Sequence, residues 1–307
     1  MRLYSARQVH DALDLGALAD AIGAMLLAQP VAPLRHAHTL AGRDSLLLMP
    51  AWSAQALGVK LVTAMPDNPL RGAATVNAIY VVFDRASGAP QAVIDGEALT
   101  LRRTAATSLL AARKMVRADA RTALVIGTGK LAPFMAHAIA AASAPDRLWV
   151  WGRRGEGAQT LAQRLRDEGL PAQAVEDLES AVRGAEVITC ATTSAQPIVR
   201  GAWLAAGAHL DLVGGFRRGM READDEAIAR SRIVVDTYAG ALAEAADIVE
   251  PLERGVIKRA AIAAELAELV AGTRVGRTDG QQITLFKSVG TAIADLAAAQ
   301  LLLERAG

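Results

Sequence analysis

The stretch TALVIGTGKLAPFMAHAIA, residues 122–140, decides how the second half of this chain folds. Its apolar start predicts a strand, two glycines follow, and its alanine-rich end predicts a helix. Gly127, Gly129 and Ala132 give the pattern G-x-G-x-x-A, in which the first glycine allows a tight turn and the second lets the backbone approach a pyrophosphate. Pro133 suits the first helical turn, where its missing N–H costs little. The residues that we expect to contact a dinucleotide here are Gly127, Thr128, Gly129, Lys130 and Leu131.

Short apolar runs separated by helical segments continue beyond this stretch. The candidate strands cover residues 123–127, 147–151, 172–175, 186–191, 208–214 and 232–236. Alternating strands and helices predict an α/β fold with a doubly wound parallel sheet, which binds its ligand at the carboxyl ends of the strands. Further along we expect a helix near 259–271, a strand within QITLFKSVG, and a helix over 291–304.

The end of the second strand of this sheet indicates which dinucleotide binds. An NAD-specific site usually carries Asp or Glu there, to hold the ribose 2′-hydroxyl. This strand ends in Trp151 and Gly152, and Arg153 and Arg154 follow. Guanidinium groups suit bidentate contact with a 2′-phosphate. The sequence therefore favours NADP(H), with NAD(H) as the alternative, and adds both arginines to the cofactor-binding residues.

The first part of the chain follows a different pattern. Residues 1–30 alternate apolar and polar positions at helical spacing, whereas residues 35–94 contain short apolar runs punctuated by turn residues. The second pattern is typical of antiparallel strands, and a long helix is expected over 97–117. Two domains are also what a chain of this length favours. The predicted domains are an α+β domain over 1–117, completed by 288–307, and a Rossmann-type domain over 118–287.

Composition limits the class of protein. The 307 residues carry 33 basic and 32 acidic side chains without a basic tract, which argues against nucleic-acid binding. The single cysteine, Cys190, excludes an internal disulfide framework, and its apolar surroundings predict a buried, unreactive thiol. No apolar stretch approaches the roughly 20 residues of a membrane span, and the charged N-terminus does not resemble a signal peptide. We expect a cytoplasmic protein that binds neither a membrane nor a metal ion.

Longer stretches resemble one known family. The segment LRRTAATSLLAARKMVRADARTALVIGTGKLA is similar to the central signature of the ornithine cyclodeaminase/mu-crystallin family. The segments PLRHAHTL, LGVKLVT, LVGGFRRGMREADDE and ITLFKSVGTAIADLAAA agree with it in the same order. The resemblance runs almost from end to end. It implies a homodimer whose first domain binds substrate and mediates dimerisation, a Rossmann-type cofactor domain, and a small α-amino or α-imino acid as substrate.

The resemblance also implies roles for individual residues. Arg35 and Lys60 match positions that hold the substrate carboxylate, and Arg103 matches a position near both that carboxylate and the cofactor. Cations on separate elements suit an anionic substrate, and Lys60 is distinctive because it lies within an apolar strand. Lys60 and Arg103 are the candidate catalytic residues. The positions that match further cofactor contacts are Thr75, Arg103, Thr192, Leu210, Val213 and Ser288.

Three positions depart from the cyclodeaminase pattern. Phe216 stands where the cyclodeaminases have an Asp that serves the hydrolytic chemistry, and a phenyl ring cannot take up a proton or activate water. Met220 replaces a cofactor-side Lys, and Leu131 replaces a frequent Gln. These departures argue against ornithine cyclodeamination.

A carboxylate clamp, a reduced nicotinamide and no strong base suit the reduction of a C=N bond. We therefore predict NAD(P)H-dependent reduction of a small cyclic α-imino acid to the amino acid. Δ1-Pyrroline-2-carboxylate and Δ1-piperideine-2-carboxylate are examples of such ketimines. Three alternatives stay open: reductive amination of a keto acid, as by an alanine dehydrogenase; ornithine cyclodeamination; and non-catalytic NADPH binding, as in mu-crystallin-like proteins.

Overall fold

The computed structural model describes residues 1–215 and 217–306, and the chain divides into two units. The first unit contains Met1–Ala106 together with the segment from Thr291 onward. The second unit contains Thr107–Gly290 and is therefore inserted, along the chain, between the two parts of the first.

The first unit is built on a six-stranded sheet. Its elements before the insertion are β1 (Arg2–Tyr4), α1 (Ala6–Ala12), α2 (Leu15–Leu27), β2 (His36–Thr39), β3 (Ser45–Trp52), β4 (Leu57–Ala64), a 3₁₀ turn (Asn68–Arg71), β5 (Val76–Phe83), β6 (Pro90–Asp95) and α3 (Gly96–Met115), which continues into the second unit. The strand order is β1-β6-β5-β4-β3-β2. Only β1 and β6 are parallel within this sheet, so the prediction of a mainly antiparallel segment is confirmed.

The second unit is built on an eight-stranded parallel sheet. Its elements are β7 (Thr122–Ile126), α4 (Ala132–Ser143), β8 (Arg147–Trp151), α5 (Gly155–Asp167), β9 (Ala172–Ala174), α6 (Leu178–Gly184), β10 (Val187–Cys190), a 3₁₀ turn (Gly201–Trp203), β11 (His209–Leu212), α7 (Asp225–Arg230), β12 (Arg232–Val235), α8 (Tyr238–Glu244), α9 (Ala246–Glu253), a 3₁₀ turn (Arg259–Ala261), β13 (Ile262–Glu265), α10 (Leu266–Val270) and β14 (Thr284–Lys287). The strand order is β13-β12-β14-β11-β10-β7-β8-β9. The predicted α/β fold with a Rossmann-type parallel sheet is confirmed.

The central strands of this sheet explain the apolar runs in the sequence. Every residue of β7, β10 and β11 is buried. Leu124 and Ile188 pack into one core cluster, whereas Val125 and Val187 pack into another. Successive residues of a strand point to opposite faces, so a strand covered on both faces is largely apolar. The polar exceptions in β11, His209 and Asp211, form hydrogen bonds in the interior.

The helix expected near residues 259–271 is wrong for most of its length. Residues 262–265 form β13, an edge strand parallel to β12, and only the five residues of α10 are α-helical. The alanine-rich sequence has high helix propensity, but pairing with β12 overrides it. Glu265 and Glu268 then form a capping box that starts α10.

The chain returns to the first unit in α11 (Ala292–Arg305), whose N-cap is Thr291. This helix packs on α2 and on strands β3, β4 and β5. Its inward side chains include Leu296 and Leu302, both fully buried. Like the other helices in the described ranges, it is not long and apolar enough to span a membrane.

Candidate active site

The glycine turn after β7 is the candidate site for a pyrophosphate. Gly127 has φ +120°, and a Cβ there would lie 2.5 Å from the carbonyl oxygen of Ala191, so only glycine fits. A Cβ on Gly129 would meet no described atom within 4 Å, so this position faces open space. Leu131 is the N-cap of α4 and makes no side-chain capping bond. The N–H of Ala132 donates to the Gly129 carbonyl oxygen at 3.0 Å and Pro133 has no N–H, so the part of this segment that is open to a ligand is the turn itself, where Lys130 is exposed.

Thr128 connects this turn to the end of β8. A Cβ on Gly152 would lie 2.6 Å from Thr128 Cγ2, and a Cβ on Gly157 would lie 3.0 Å from Thr128 Oγ1. The threonine side chain therefore fills the space that the two glycines leave open. Arg153 and Arg154, directly after Gly152, are both exposed. The structure thus brings the glycine turn and the two predicted arginines to the same edge of the sheet.

The loops after β10 and β11 are joined by a glutamate that sequence reasoning did not select. Glu222 Oε1 accepts hydrogen bonds from the backbone N (2.8 Å) and Oγ1 (2.9 Å) of Thr192, and its Oε2 accepts one from Gly214 N at 2.7 Å. Val213, which precedes Gly214, is 7% exposed at the end of β11. The side chain of Leu210, in the middle of the same strand, is fully buried in the core.

A buried charge network lies beneath these loops. Lys287 Nζ lies 2.8 Å from Asp247 Oδ2, and Asp247 Oδ1 accepts a hydrogen bond from Glu222 N at 2.9 Å. All three side chains are fully buried. Burial raises the pKa of Glu222 to about 7, although Lys287 and the backbone donors oppose this. Ser288, the neighbour of Lys287, donates from Oγ to Asp236 Oδ2 at 2.8 Å, so its hydroxyl is turned to that carboxylate.

The first unit contains the candidate substrate cluster. Lys60 on β4 and Arg103 on α3 converge on Asp295 of α11. Lys60 Nζ lies 2.7 Å from Asp295 Oδ2, and Arg103 Nε lies 3.0 Å from Asp295 Oδ1. The exposed fractions are 3% for Lys60, 6% for Arg103 and 0% for Asp295, so these charges are buried together.

Other groups border this cluster. Arg35 is half-buried just before β2 and acts electrostatically on Lys60. Tyr80 pairs in register with Lys60 across β4 and β5, so the two side chains share a face of the sheet. The Tyr80 hydroxyl is buried without a hydrogen-bond partner among the described residues. Thr75 is exposed just before β5, and its carbonyl accepts a hydrogen bond from Met65 N at 2.7 Å.

The electrostatics of the cluster favour an easily released proton on Lys60. Burial, together with Arg103 and Arg35, lowers the pKa of Lys60 to about 8, although Asp295 opposes the shift. Burial works against the charge on Asp295, but Lys60 and Arg103 hold the pKa of its carboxyl below the ordinary value. The cluster therefore favours the ionised form of Asp295, whereas burial brings the pKa of Lys60 closer to neutral pH.

The structure describes two of the three positions that depart from the cyclodeaminase pattern, Met220 and Leu131. Met220 is 6% exposed, and its sulfur accepts a hydrogen bond from Arg217 Nε at 3.1 Å. Leu131 is half-buried at the start of α4. Phe216 lies outside the described residues. Cys190 is fully buried and its pKa is raised far above the ordinary value by burial, which agrees with an unreactive thiol.

The parallel sheet with its glycine turn and the buried cation cluster define an α/β enzyme of the Rossmann type. The chain belongs to the ornithine cyclodeaminase/mu-crystallin family, whose sequence model matches residues 8–307. The resemblance noted in the sequence is therefore confirmed.

Individual members of the family show how similar the sequence and the structure are. The Δ1-pyrroline-2-carboxylate reductase of Bacillus cereus is 37% identical over 281 residues, covering 90% of this chain and 86% of that protein. The structure of the Thermococcus litoralis Δ1-pyrroline-2-carboxylate reductase in complex with NADH and L-proline matches with a TM-score of 0.95 and 32% identity, covering 100% of this chain and 97% of that chain. An archaeal alanine dehydrogenase dimer with bound NAD matches with a TM-score of 0.94 and 27% identity, covering 100% and 96%.

Proposed function

We propose that this protein reduces a small cyclic α-imino acid with a reduced nicotinamide dinucleotide, with Δ1-pyrroline-2-carboxylate as the reference substrate. The observation that carries the proposal is the buried cluster of Lys60, Arg103 and Asp295, with Arg35 acting on it. These residues supply three cations and one carboxylate. Because the cations outnumber the carboxylate, the cluster attracts a second anion, which the substrate carboxylate supplies. The names of the relatives from Bacillus cereus and Thermococcus litoralis support the same substrate class.

The chain's own residues account for binding and for the proton. Reduction of the C=N bond adds a hydride to carbon and a proton to nitrogen, which yields the cyclic amino acid. When bound, a reduced nicotinamide supplies the hydride and is oxidised. Arg35 and Arg103 hold the carboxylate, so that the imine is fixed by proximity and orientation. The Lys60 ammonium donates the proton to the imine nitrogen, because a pKa of about 8 keeps the donor charged at neutral pH yet able to release its proton.

The preferred cofactor in this proposal is NADPH. Arg153 and Arg154 follow the tip of β8, where no carboxylate is available to bind a ribose hydroxyl. Replacing Arg153 with Ala is expected to weaken NADPH binding about tenfold, the scale of one charge-assisted hydrogen bond, and to change NADH binding little. Nicotinamide fluorescence titration measures both, with exposed Arg259→Ala as the matched control. Equal affinity of the unmodified protein for NADH and NADPH would contradict the preference.

The proposed assembly is a homodimer, which the dimeric alanine dehydrogenase neighbour supports. Helix α11 packs on strands β3, β4 and β5 of the first sheet, and α2 packs on α11. On the face opposite Lys60, Leu48, Leu61 and Ile79 align in register across β3, β4 and β5. Leu48 and Leu61 are half-buried and Ile79 is exposed, an apolar strip that a second copy would cover. Leu61→Glu should give a monomer in sedimentation experiments; an unmodified protein that is already monomeric contradicts the assembly.

One screen tests the reaction itself. NADPH oxidation is measured with Δ1-pyrroline-2-carboxylate, Δ1-piperideine-2-carboxylate, and pyruvate plus ammonia or methylamine. Release of proline and ammonia is measured with ornithine and NAD. The expected result is turnover of a cyclic imino acid and no release of ammonia from ornithine, because Phe216 cannot serve as an acid or base. Faster turnover of pyruvate with an amine would favour the alanine-dehydrogenase reaction, which the second structural neighbour suggests. Robust conversion of ornithine would overturn the proposal, and nucleotide binding without any turnover would favour a non-catalytic protein.

A further inference from the structure

Asp295 lies at the centre of the cation cluster without an assigned role. It belongs to the first turns of α11 and is fully buried. Each of its carboxylate oxygens faces a different cation: Oδ1 accepts from Arg103 Nε at 3.0 Å, and Oδ2 lies 2.7 Å from Lys60 Nζ. One side chain therefore sets the positions of two cations that come from two other elements of the first unit.

Stability alone is a poor reason for this arrangement. Removing three charges from water is costly, and well-packed apolar side chains in the same places are often as stable or more stable. A buried ion cluster does, however, fix distances and directions, because each partner must keep its bond to offset the lost hydration. The geometry thus points to a requirement for exact placement of Lys60 and Arg103.

We propose that Asp295 is a positioning residue for the reductase reaction: it holds the Lys60 ammonium at one point as the proton donor to the imine nitrogen and orients Arg103 toward the substrate carboxylate. This inference rests on the proposed function. Asp295 does not itself touch the reacting atoms in this scheme. It acts through the two cations.

The charges around Lys60 explain why an anion is needed there. Lys60 faces Arg103 on α3 and Arg35 before β2, and both positive charges lower the pKa of Lys60. Asp295 on α11 is the group that favours the charged form, and Tyr80 on β5 is held neutral because burial and Asp295 raise its pKa. Without Asp295, the pKa of Lys60 falls below about 8, and the amine loses the proton it must donate at neutral pH.

The test follows the ε-amino group directly. The chain contains five lysines, so lysine labelled at Cε and Nζ gives a small set of NMR signals, and Lys60→Met identifies the signal of interest. In the unmodified protein, Lys60 is expected to titrate near pH 8. In Asp295→Asn it should titrate at clearly lower pH. The signal of Lys287 should not move, because Lys287 lies in the second unit beside Asp247.

Activity supplies the second readout. In Asp295→Asn, kcat/KM for the imino acid should fall about 10²-fold or more, the lower scale of acid–base assistance, and the activity maximum should move to lower pH. NADPH affinity should change much less than kcat/KM. Asp295→Glu keeps the charge but moves the carboxylate by one methylene. It should retain a Lys60 titration near that of the unmodified protein while kcat falls, which a purely structural role does not predict.

The outcomes separate the two proposals. A Lys60 titration that is the same in Asp295→Asn and in the unmodified protein overturns the positioning role. If Asp295→Asn does not fold, Asp295→Glu decides: full activity in that folded variant equally overturns the role. An unmodified protein that reduces no cyclic imine, but whose Lys60 titration shifts in Asp295→Asn, refutes the proposed function while leaving the hold of Asp295 on Lys60 intact.

Discussion

Each unit of the protein buries one lysine–aspartate pair, and the two pairs differ in what surrounds them. Lys60 and Asp295 lie 2.7 Å apart in the first unit, and Lys287 and Asp247 lie 2.8 Å apart in the second. Burial lowers the pKa of Lys60 to about 8. Burial also works against the charge on Lys287, yet the pKa of Lys287 is raised.

The neighbouring charges explain the difference. Lys60 has two guanidinium groups nearby, those of Arg103 and Arg35, whereas Lys287 has two further carboxylates, those of Glu222 and Asp236. A salt bridge of given length therefore does not determine whether its lysine can release a proton. The charges of the residues around the salt bridge determine this. They make Lys60 a candidate acid and Lys287 a structural cation.

The largest expected effect is on catalysis through Lys60. Replacing Lys60 with Met should lower kcat/KM for the imino acid by about 10²–10⁴-fold, the range of general acid–base assistance. Steady-state kinetics measure this, with fluorescence titration as a check that NADPH binding is unchanged. Exposed Lys258→Met is the matched control and should behave like the unmodified protein. Near-normal activity of Lys60→Met would show that the comparison assigns the acid to the wrong lysine.

The next effect is on stability through Lys287. Replacing Lys287 with Met leaves Asp247 buried without its cation, and the nearby Glu222 also loses a favourable charge. The free energy of unfolding should therefore drop by about 3–5 kcal/mol. Urea denaturation measures the loss. The double variant with Asp247→Asn should recover part of it, because it removes the unpaired charge. A loss below 1 kcal/mol, about the size of a surface pair, would mean that Lys287 is not the structural cation described.

The smallest expected effect is on the pH dependence of the free energy of unfolding, to which the two lysines contribute with opposite sign. The folded-state pKa of Lys60 lies below the ordinary 10.5, so between pH 8 and 10.5 the unfolded chain binds more protons and stability rises with pH, by at most about 3 kcal/mol. Lys287 has the opposite sign: its contribution is complete below 10.5 and is lost only above that pH. The unfolding free energy of the unmodified protein minus that of Lys60→Met should therefore increase from pH 8 to pH 10. A flat difference would remove the contrast between the two pairs.

Most of the fold could be predicted because its signals are local. Strands such as β7 are largely apolar runs, and the tight turn at Gly127 accepts only a residue without a Cβ. The error at 259–271 has a matching cause: helix propensity is local, whereas the edge pairing of β13 with β12 is made by residues distant in sequence.

The site could be predicted only in part. The family pattern led to the cations Lys60 and Arg103, but not to the carboxylate between them, which lies 192 positions after Arg103. The available signal was a charge inside an apolar helix, as in TAIADLAAA, the same signal that singled out Lys60 in its strand. Glu222 escaped notice for another reason. Its partners are the backbone amides of Thr192 and Gly214 and the Thr192 hydroxyl, and the two backbone contacts leave no trace in a residue pattern.

The order of segments along the chain has a consequence for biosynthesis. Lys60 and Arg103 emerge early from the ribosome, but Asp295 emerges only after the whole of Thr107–Gly290 has been translated. Until then, the first unit would have to bury two cations without their counter-ion, which is strongly unfavourable. The inserted unit, whose segments are contiguous, is therefore free to fold first. Completion of the first unit requires α11, so we expect a nascent chain to form its parallel-sheet unit before the unit that contains Lys60 and Arg103.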